Sequence, residues 1–442
     1  MKNLKKSCSV MLAALMTATL AFSCSESSNG SNTSDSGAKS GEKQNLIAMT
    51  WSDPSDAERI RDAMFEKFPD MAEKIDLEFV LGGGSNADVA EKYRLSLTSN
   101  SYICDILYMN AYDVPEFAEA GTLVELDDIY NADGIKGEIM PSALEAATYN
   151  EKLLAVPQEL KQTLWFYNKT MFDEAGINPE EVTTTEDFIA AGKQFMEVFP
   201  ETAFFHGVPK VAYNMVFNAM SHNDAVFSDD DGNFVVNSDP AIRKALEDIY
   251  SILHSGISVD IQEWTPEWES GFKDRVMAST LTESYFKTFG ARLIADSEDE
   301  WAVTLWPAFG GEVGGKGEGG ALVLMIPQSA KNIDLAKEWL QKCFLSKDGR
   351  TVLHDTSKVA PIRDDLFQEI LNEEDADWGA TYNPATYKAV EMGGMPAYIK
   401  GTQIAKERTI VAEYFGKYLN DEIGLDEMLD KCNKDLEQQV GN

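Results

Sequence analysis

The chain has 442 residues, with 74 Asp and Glu against 38 Lys and Arg, for a formal charge of −36. That length suits two or three domains, and 44% hydrophobic residues with eight Trp and 22 Phe can build a sizeable core, which excludes global disorder. The acidic balance excludes nucleic acid as a partner, because that affinity comes from Lys and Arg neutralising phosphates; it also argues against broad adhesion to anionic lipid.

Lys2, Lys5 and Lys6 precede an apolar run from Val10 to Phe22 that ends at Ser23-Cys24. A basic start, a short apolar stretch and a small residue before the break read as a secretory signal over 1–23. The run is short of the about 20 residues that cross a bilayer. Ala21-Phe22-Ser23-Cys24 resembles a bacterial lipoprotein box, with the usual Leu one place early at Leu20. Cys24 is therefore the expected lipidation site, and several acyl chains, palmitate among them, would anchor the chain stably. Residues 24–43 are Ser, Asn, Gly, Thr and charges, and read as a flexible tether. Removal of 1–23 takes three Lys and no acid, which moves the charge from −36 to −39.

The body opens with a strand over Asn45–Trp51. Asp53 and Pro54 then start a helix that carries Ala57, Ile60, Met64 and Phe68 at helical spacing. Ile75–Leu81 reads as a strand, Gly82–Gly84 as a loop, Ala87–Ser99 as a helix, Tyr102–Met109 as a strand and Val114–Ala120 as a helix. This alternation predicts parallel pairing in an α/β sheet. Leu164–Tyr167 is an apolar stretch, and Met171–Ala175 is a helical turn closed by Gly176. Thr185 begins a helix that ends before Pro200. Asp231-Gly232-Asn233, between Val226-Phe227 and Phe234–Val236, is a hairpin signal. Asp239-Pro240 starts the helix of Ile242, Leu246, Ile249 and Leu253. Trp301–Trp306 and Ala321–Ile326 are strands around a Gly-rich link, and Asn332 is placed to cap a helix through Phe344.

Several chemistries fail on spacing. Gly310 to Lys316 fits G-x-x-x-x-G-K, but Gly317 stands where Ser or Thr is needed, and an apolar strand follows instead of a helix. Asp229–Gly232 lacks the alternating ligands and late Glu of a calcium loop. His206, His222, His254 and His354 are scattered, so zinc has no support and no cofactor is expected. Cys104, Cys343 and Cys432 each sit in apolar patterns and read as buried thiols, with one disulfide as the alternative.

Three segments carry a family likeness. Tyr167-Asn168-Lys169, Phe172 and Ala175-Gly176-Ile177 form the first. Ala321–Leu324 with Ile326-Pro327, Lys331-Asn332, Ala336, Glu338 and Leu340 form the second, and Pro361, Arg363 and Leu366 the third. In order and spacing the chain resembles the sugar-binding extracellular solute-binding proteins of ABC importers, the family of maltose-binding protein. It departs from them at Gly319-Gly320-Ala321, where the family often has Gly-Gly-Trp. The resemblance implies an α/β fold of the periplasmic-binding-protein type II kind, two lobes joined by hinge strands with the ligand cleft between them. It places the crossings near Val156–Gln158, Thr304–Phe309 and Gly349–His354. Lobe one is then 44–156 plus 309–350, and lobe two 157–308 plus 351–442. It also implies a monomer in the cell envelope, anchored to a bacterial membrane by its lipid, that passes a carbohydrate to permease subunits and is not an enzyme.

A sugar offers apolar C–H faces and a rim of hydroxyls, so its site needs aromatic plates and short polar side chains. Sites in open α/β sheets form beyond the carboxyl ends of strands. That selects Trp51 with Asp53, Asn110 with Tyr112, and Gln158, Glu159 and Lys161. On the facing lobe it selects Tyr213, Asn214, Trp268, Glu283, Tyr285 and Trp306; Tyr285 lies where the family frequently stacks an aromatic. Plainer readings stand beside these. Asp53 serves equally as a helix cap, Trp51 and Trp306 as core, and Glu159 with Lys161 as a surface pair. Trp264 and Trp268 flank Pro266, and Trp268 is preferred. The alternatives to a carbohydrate receptor are a glycan-cleaving lipoprotein with Glu159 and Glu283 as paired carboxylates, a receptor for another small solute, or a scaffold.

Overall fold

The structure is a computed structural model that describes residues 43–441 apart from Ser52 and Glu312. The signal over 1–23, the lipidation site Cys24 and the tether up to residue 42 lie outside the described residues.

Eleven strands are found among the described residues: β1 (Gln44–Thr50), β2 (Ile75–Leu81), β3 (Ile106–Asn110), β4 (Thr148–Tyr149), β5 (Lys152–Leu153), β6 (Val156–Asn168), β7 (Phe205–His206), β8 (Ser258–Val259), β9 (Ser279–Glu283), β10 (Trp301–Leu305) and β11 (Lys316–Met325). Strands β4 and β5 pair with each other. The other nine form one sheet in the order β2-β1-β3-β11-β6-β9-β7-β8, with β10 also on β6. The sheet is mixed, not all parallel as its helix–strand alternation predicts. β1 runs parallel to β2 and β3, and β7 parallel to β8 and β9. β11 is antiparallel to both β3 and β6, and β6 antiparallel to β9 and β10. The reversal comes from two long strands, β6 and β11, that sit in the middle of the sheet antiparallel to each other and to their outer neighbours.

β6 is the long one. Thirteen residues at ~3.3 Å each make a strand about 43 Å long, enough to run through two cores. Its first half, Val156–Leu160, pairs with β11; its second half pairs with β9 and β10. Val156 and Leu160 belong to a first hydrophobic cluster with β1, β3, Ala321–Met325 and Trp339. Trp165 and Tyr167 belong to a second, with Phe172, Phe188, Phe204 and Phe217. Leu164 and Phe166 point to the opposite face of the same strand and join a third, with Trp268, Trp301 and Trp378. The residues assigned to lobe two from 351 onward are divided: Leu353, Ile362 and Phe367 pack in the first cluster, and Val411, Phe415 and Leu429 in the second. Gly349–His354, placed as a crossing, lies inside the helix Lys347–Ser357.

Local signals behave as their chemistry dictates. Ser85 accepts from the Asp88 amide to cap Asn86–Ser99, and Asp239 accepts from the Ala241 and Ile242 amides to cap Pro240–Leu253. Thr184 and Asp187 form a reciprocal capping box on Thr185–Val198. Asn332 is the exception. It makes no side-chain cap, because its amide donates instead to the Asn45 carbonyl at 2.9 Å and ties the helix to β1. The 226–236 segment turns back on itself through Ser228 and Phe234, with Gly232 at φ +83°. Cys104, Cys343 and Cys432 are all buried free thiols.

Between β11 and β6 the register slips. Lys316 faces Gln162 but Ala321 faces Leu160, so extra residues of β11 bulge out at 317–320. Glycine is needed there. A Cβ on Gly317 would lie 2.7 Å from the Lys161 carbonyl oxygen, and Gly320 has φ +72°. Gly317→Ala should therefore cost about 1–3 kcal/mol of stability by crowding the β6 backbone. Gly416→Ala, inside the helix Ile404–Leu419 with open space around it, should add about 0.5–1 kcal/mol. Denaturant unfolding of the two variants checks both signs.

Candidate functional site

One wall of the site grows from the end of β3. Asn110 closes the strand, Ala111–Asp113 makes a helical turn, and the helix Asn86–Ser99 lies beside it. Asn86 ties the turn together. Its side-chain amide donates to the Tyr112 hydroxyl at 3.0 Å and to the Asp113 carboxylate at 2.8 Å, while its oxygen accepts from the Asn110 backbone at 2.9 Å. Asn110 also donates to the Tyr112 hydroxyl, at 3.1 Å. Further along, Arg94 forks onto Glu116 at 2.6 and 2.8 Å. Asp113 is only 1% exposed and one of its oxygens has no partner. Burial outweighs the Asn86 hydrogen bond and the Arg94 charge, and pushes its carboxyl up to about 7.

The facing wall comes from two helices packed in the second cluster. Tyr213–His222 presents Tyr213, Asn214 and Phe217; Ile404–Leu419 presents Lys406, Arg408 and Thr409. Between the walls lies a cavity of about 890 Å³. Arg408 bridges them. Its guanidinium sits 5.0 Å from the Tyr112 ring on one wall and 4.5 Å from Phe217 on the other. It is ion-paired with Glu318 and donates to the Glu318 carbonyl and the Tyr398 hydroxyl, each at 3.2 Å.

Glu318 is the residue that the β11 bulge lifts out of the sheet. Its amide donates to Asn218 at 2.8 Å and to Glu283 at 3.2 Å, and Glu283 is ion-paired with Lys161 at 3.5 Å. These groups border a second cavity of about 120 Å³, lined also by Asn214, Glu263, Thr282 and Tyr285. Beside it stands an aromatic plate. Trp264 has the left-handed φ of +63°, unusual for a bulky residue, and the residue is 58% exposed. It stacks on Tyr285 at 6.1 Å and 27°, with Phe289 at 4.8 Å behind.

The structure brings together Asn110, Tyr112, Tyr213, Asn214, Lys161, Glu283 and Tyr285 around these two cavities or in the hydrogen-bond and ion-pair network that borders them. Glu159 is half-buried on β6, close enough for Lys161 and Glu283 to act on its charge. Trp51 is half-buried against the first cluster and lines neither cavity. Asp53 is exposed and accepts from the Ser55 amide at 2.8 Å, the helix-start role. The Gln158 side chain is buried, and the residue's backbone carbonyl accepts from Arg350 at 2.7 Å. Trp268 and Trp306 are corrected. Trp268 is enclosed by Trp264, Phe272, Phe286 and Phe289, and Trp306 donates its indole N–H to the Leu164 carbonyl at 3.0 Å; both are buried core and offer no surface to a ligand. Residues that sequence reasoning passed over are Asn86, Asp113, Glu318 and Arg408, together with Trp264, set second to Trp268. Asp113 was within reach, three residues past the carboxyl end of β3. Arg408 lies on a helix with no signal to mark it.

The site is thus a polar cavity set between two walls of an α/β scaffold. A family model described as bacterial extracellular solute-binding protein matches residues 63–381, and the chain belongs to that family. Among curated relatives are arabinooligosaccharide-binding proteins. The one from Bacillus subtilis (strain 168) is 22% identical over 265 residues, which cover 59% of this chain and 58% of that protein. The one from Halalkalibacterium halodurans is 23% identical over 295 residues, 64% of each. The chain thus matches less than two thirds of the length of either. Among solved structures, the GacH receptor of Streptomyces glaucescens has a TM-score of 0.71 at 16% identity, covering 90% of this chain and 98% of that one. Maltose-bound MalE3 of T. maritima has a TM-score of 0.71 at 16% identity, over 89% and 99%. A B. animalis subsp. lactis binding protein, in complex with β-1,6-galactobiose, has 0.68 at 18% identity, over 90% and 99%. At these identities the likeness is one of fold, the periplasmic-binding-protein fold with two lobes.

The buried Asp113 carboxyl predicts a pH effect. Its folded value lies above 3.8, so the folded state holds a proton that the unfolded state has already lost, and stability falls as pH rises from about 4 to 7. Asp113→Asn removes that loss. The variant should gain stability relative to the parent between pH 4 and pH 8, by up to about 4 kcal/mol, and a constant difference in unfolding free energy across that range would refute it.

Proposed function

We propose that this protein is the carbohydrate-capturing component of an ABC importer, exported, held to a bacterial membrane through lipid on Cys24, and delivering its ligand to the permease as a monomer. The observation that carries this reading is the cavity of about 890 Å³ whose two walls come from different hydrophobic clusters, each bearing polar side chains with fixed directions. A ligand that touches both walls stabilises the closed arrangement by its differential affinity, which is how hinge closure is driven. Family membership and relatives named for arabinooligosaccharide binding support a sugar as that ligand. So does the chemistry: amides, carboxylates and a tyrosine hydroxyl suit a hydroxyl rim, and Tyr285 with Trp264 suits a C–H face.

The ligand-contacting group we assign is Tyr112, Tyr213, Asn214, Glu283, Tyr285, Trp264 and Arg408, with Asn110, Asp113, Glu159 and Lys161 behind them. The first lobe is 44–156 with β11 and the helices up to Ile370; the second is the rest of the body. Strands β6 and β11 and the 305–315 segment link them. The ion pair of Glu283 with Lys161 suits recognition, not a free acid–base pair with Glu159.

Calorimetry across mono- and oligosaccharides tests the reading, and binding of another solute class with no response to any sugar would overturn it. Two neighbouring tryptophans sharpen the test. Trp264→Ala should weaken sugar binding by roughly 10- to 100-fold with little change in melting temperature. Trp268→Ala should cost about 3–5 kcal/mol of stability, because its ring fills core. Melting curves and titrations of the pair separate a ligand contact from a packing contact.

A further inference from the structure

The three segments assigned above as links between the lobes are all held by the end of one helix. That helix, Tyr213–His222, begins at the large cavity and ends roughly 15 Å away at ~1.5 Å per residue. His222, at the far end, lines neither of the two cavities. Its Nε2 lies 2.8 Å from the Thr163 hydroxyl of β6 and 3.0 Å from the Lys316 carbonyl of β11. A carbonyl only accepts, so Nε2 carries the proton and ties both strands at once. Desolvation pushes the ring down to about 3, which keeps it neutral. The third link is moulded on the same ring. Trp306 meets it edge-on at 5.8 Å and 90°, and bridges to Gly314, where a Cβ would overlap the imidazole. Next to His222, Asn223 donates to the Phe309 carbonyl at 3.0 Å. This is also the point at which β6 changes partners. Gln162 still faces Lys316 of β11, while Thr163 faces Glu283 of β9 and Leu164 faces Leu305 of β10.

We propose that His222, with Asn223 beside it, is the pin of the hinge: a positioning residue that sets the angle between the lobes, and their balance between open and closed forms, without touching the solute. The inference rests on the two-lobe assignment above and not on what the solute is. A rotation of one lobe against the other must bend β6, β11 and the 305–315 segment together, because one ring and its neighbour hold all three. Asn218, one turn before His222, accepts from the Glu318 amide at 2.8 Å and holds the β11 bulge on the same helix. That helix begins with Tyr213 and Asn214 at the cavity, so solute contact and linker geometry share one rigid element.

The test is amide hydrogen exchange with small-angle scattering on the ligand-free, full-length chain. His222→Ala should speed exchange roughly tenfold in 156–163, 305–315 and 316–320 together. It should leave β1 and the helix Pro240–Leu253 at parent rates, and widen the distribution of interatomic distances. His222→Gln keeps one N–H for the Lys316 carbonyl and should recover most of the parent behaviour. Thr163→Val removes only the tie to β6 and should loosen the same three segments by roughly threefold; it serves if His222→Ala melts early. Faster exchange confined to 316–320, or no change in either loosening variant, overturns the pin while the two-lobe reading stands. So does acceleration of β1 and Pro240–Leu253 by the same factor as the links, since the ring would then be ordinary core. Faster links with superposable scattering curves in parent and variants overturn the two-lobe reading and the pin with it.

Discussion

The antiparallel pair of β6 and β11 is the constraint on which the rest of the molecule depends. Both strands are longer than one core requires, and β6 gives Val156 and Leu160 to one hydrophobic cluster and Trp165 and Tyr167 to another. A strand that is buried at both ends cannot slip by one residue without turning two cores inside out. The register is therefore fixed twice, and the small mismatch between the two fixings appears as the bulge at 317–320. Lobes built around shared strands can move relative to each other only by bending these strands, which is the mechanical basis of a hinge.

The bulge has chemical consequences. It carries Glu318 out of the ladder toward Arg408, and its amide toward Glu283, so two half-buried ion pairs stand beside the cavities. Four charges in a half-buried setting are tolerable because each has a partner and most have further hydrogen bonds; removal of one would leave a costly orphan. Arg408 is held by aromatic faces from both walls. A guanidinium suits that place better than an ammonium, since it can stack and donate at once. The residues that shape the cavities thus rely on backbone geometry some distance away.

Much of this was legible in the linear order of residues, and the part that was not has a common cause. Caps at Ser85, Thr184 and Asp239 are local, because a side chain three residues from its partner amide needs no tertiary help. The rule that sites form beyond strand ends pointed to Asn110 and Tyr112, which the fold joins by a hydrogen bond beside the large cavity, and its logic extends to Asp113. It failed for Trp51 and Trp306, because a strand end can also face a core, and only the neighbouring sheet decides which. Trp264 and Trp268 show the point most sharply. They are four residues apart around one helix start, and a left-handed backbone at Trp264 turns its ring to solvent while the helix buries the other. The parallel sheet inferred from alternating elements was altered in the same way, by long strands whose direction no local pattern reveals.

By itself the sequence determined the acidic charge, the α/β alternation, the short-range caps and turns, and the family likeness, because each of these depends on residue type or on separations of a few positions. Only the tertiary structure decided which aromatics are exposed, that Arg408 and Glu318 meet, and that Asn214 lines two cavities. These depend on contacts between residues about a hundred or more positions apart, such as Asn218 with Glu318, and such pairs are set by strand register and helix docking. The excess of acid read at the outset is a property of composition. The cations that matter for the site, Arg94, Lys161 and Arg408, are paired and placed by the fold.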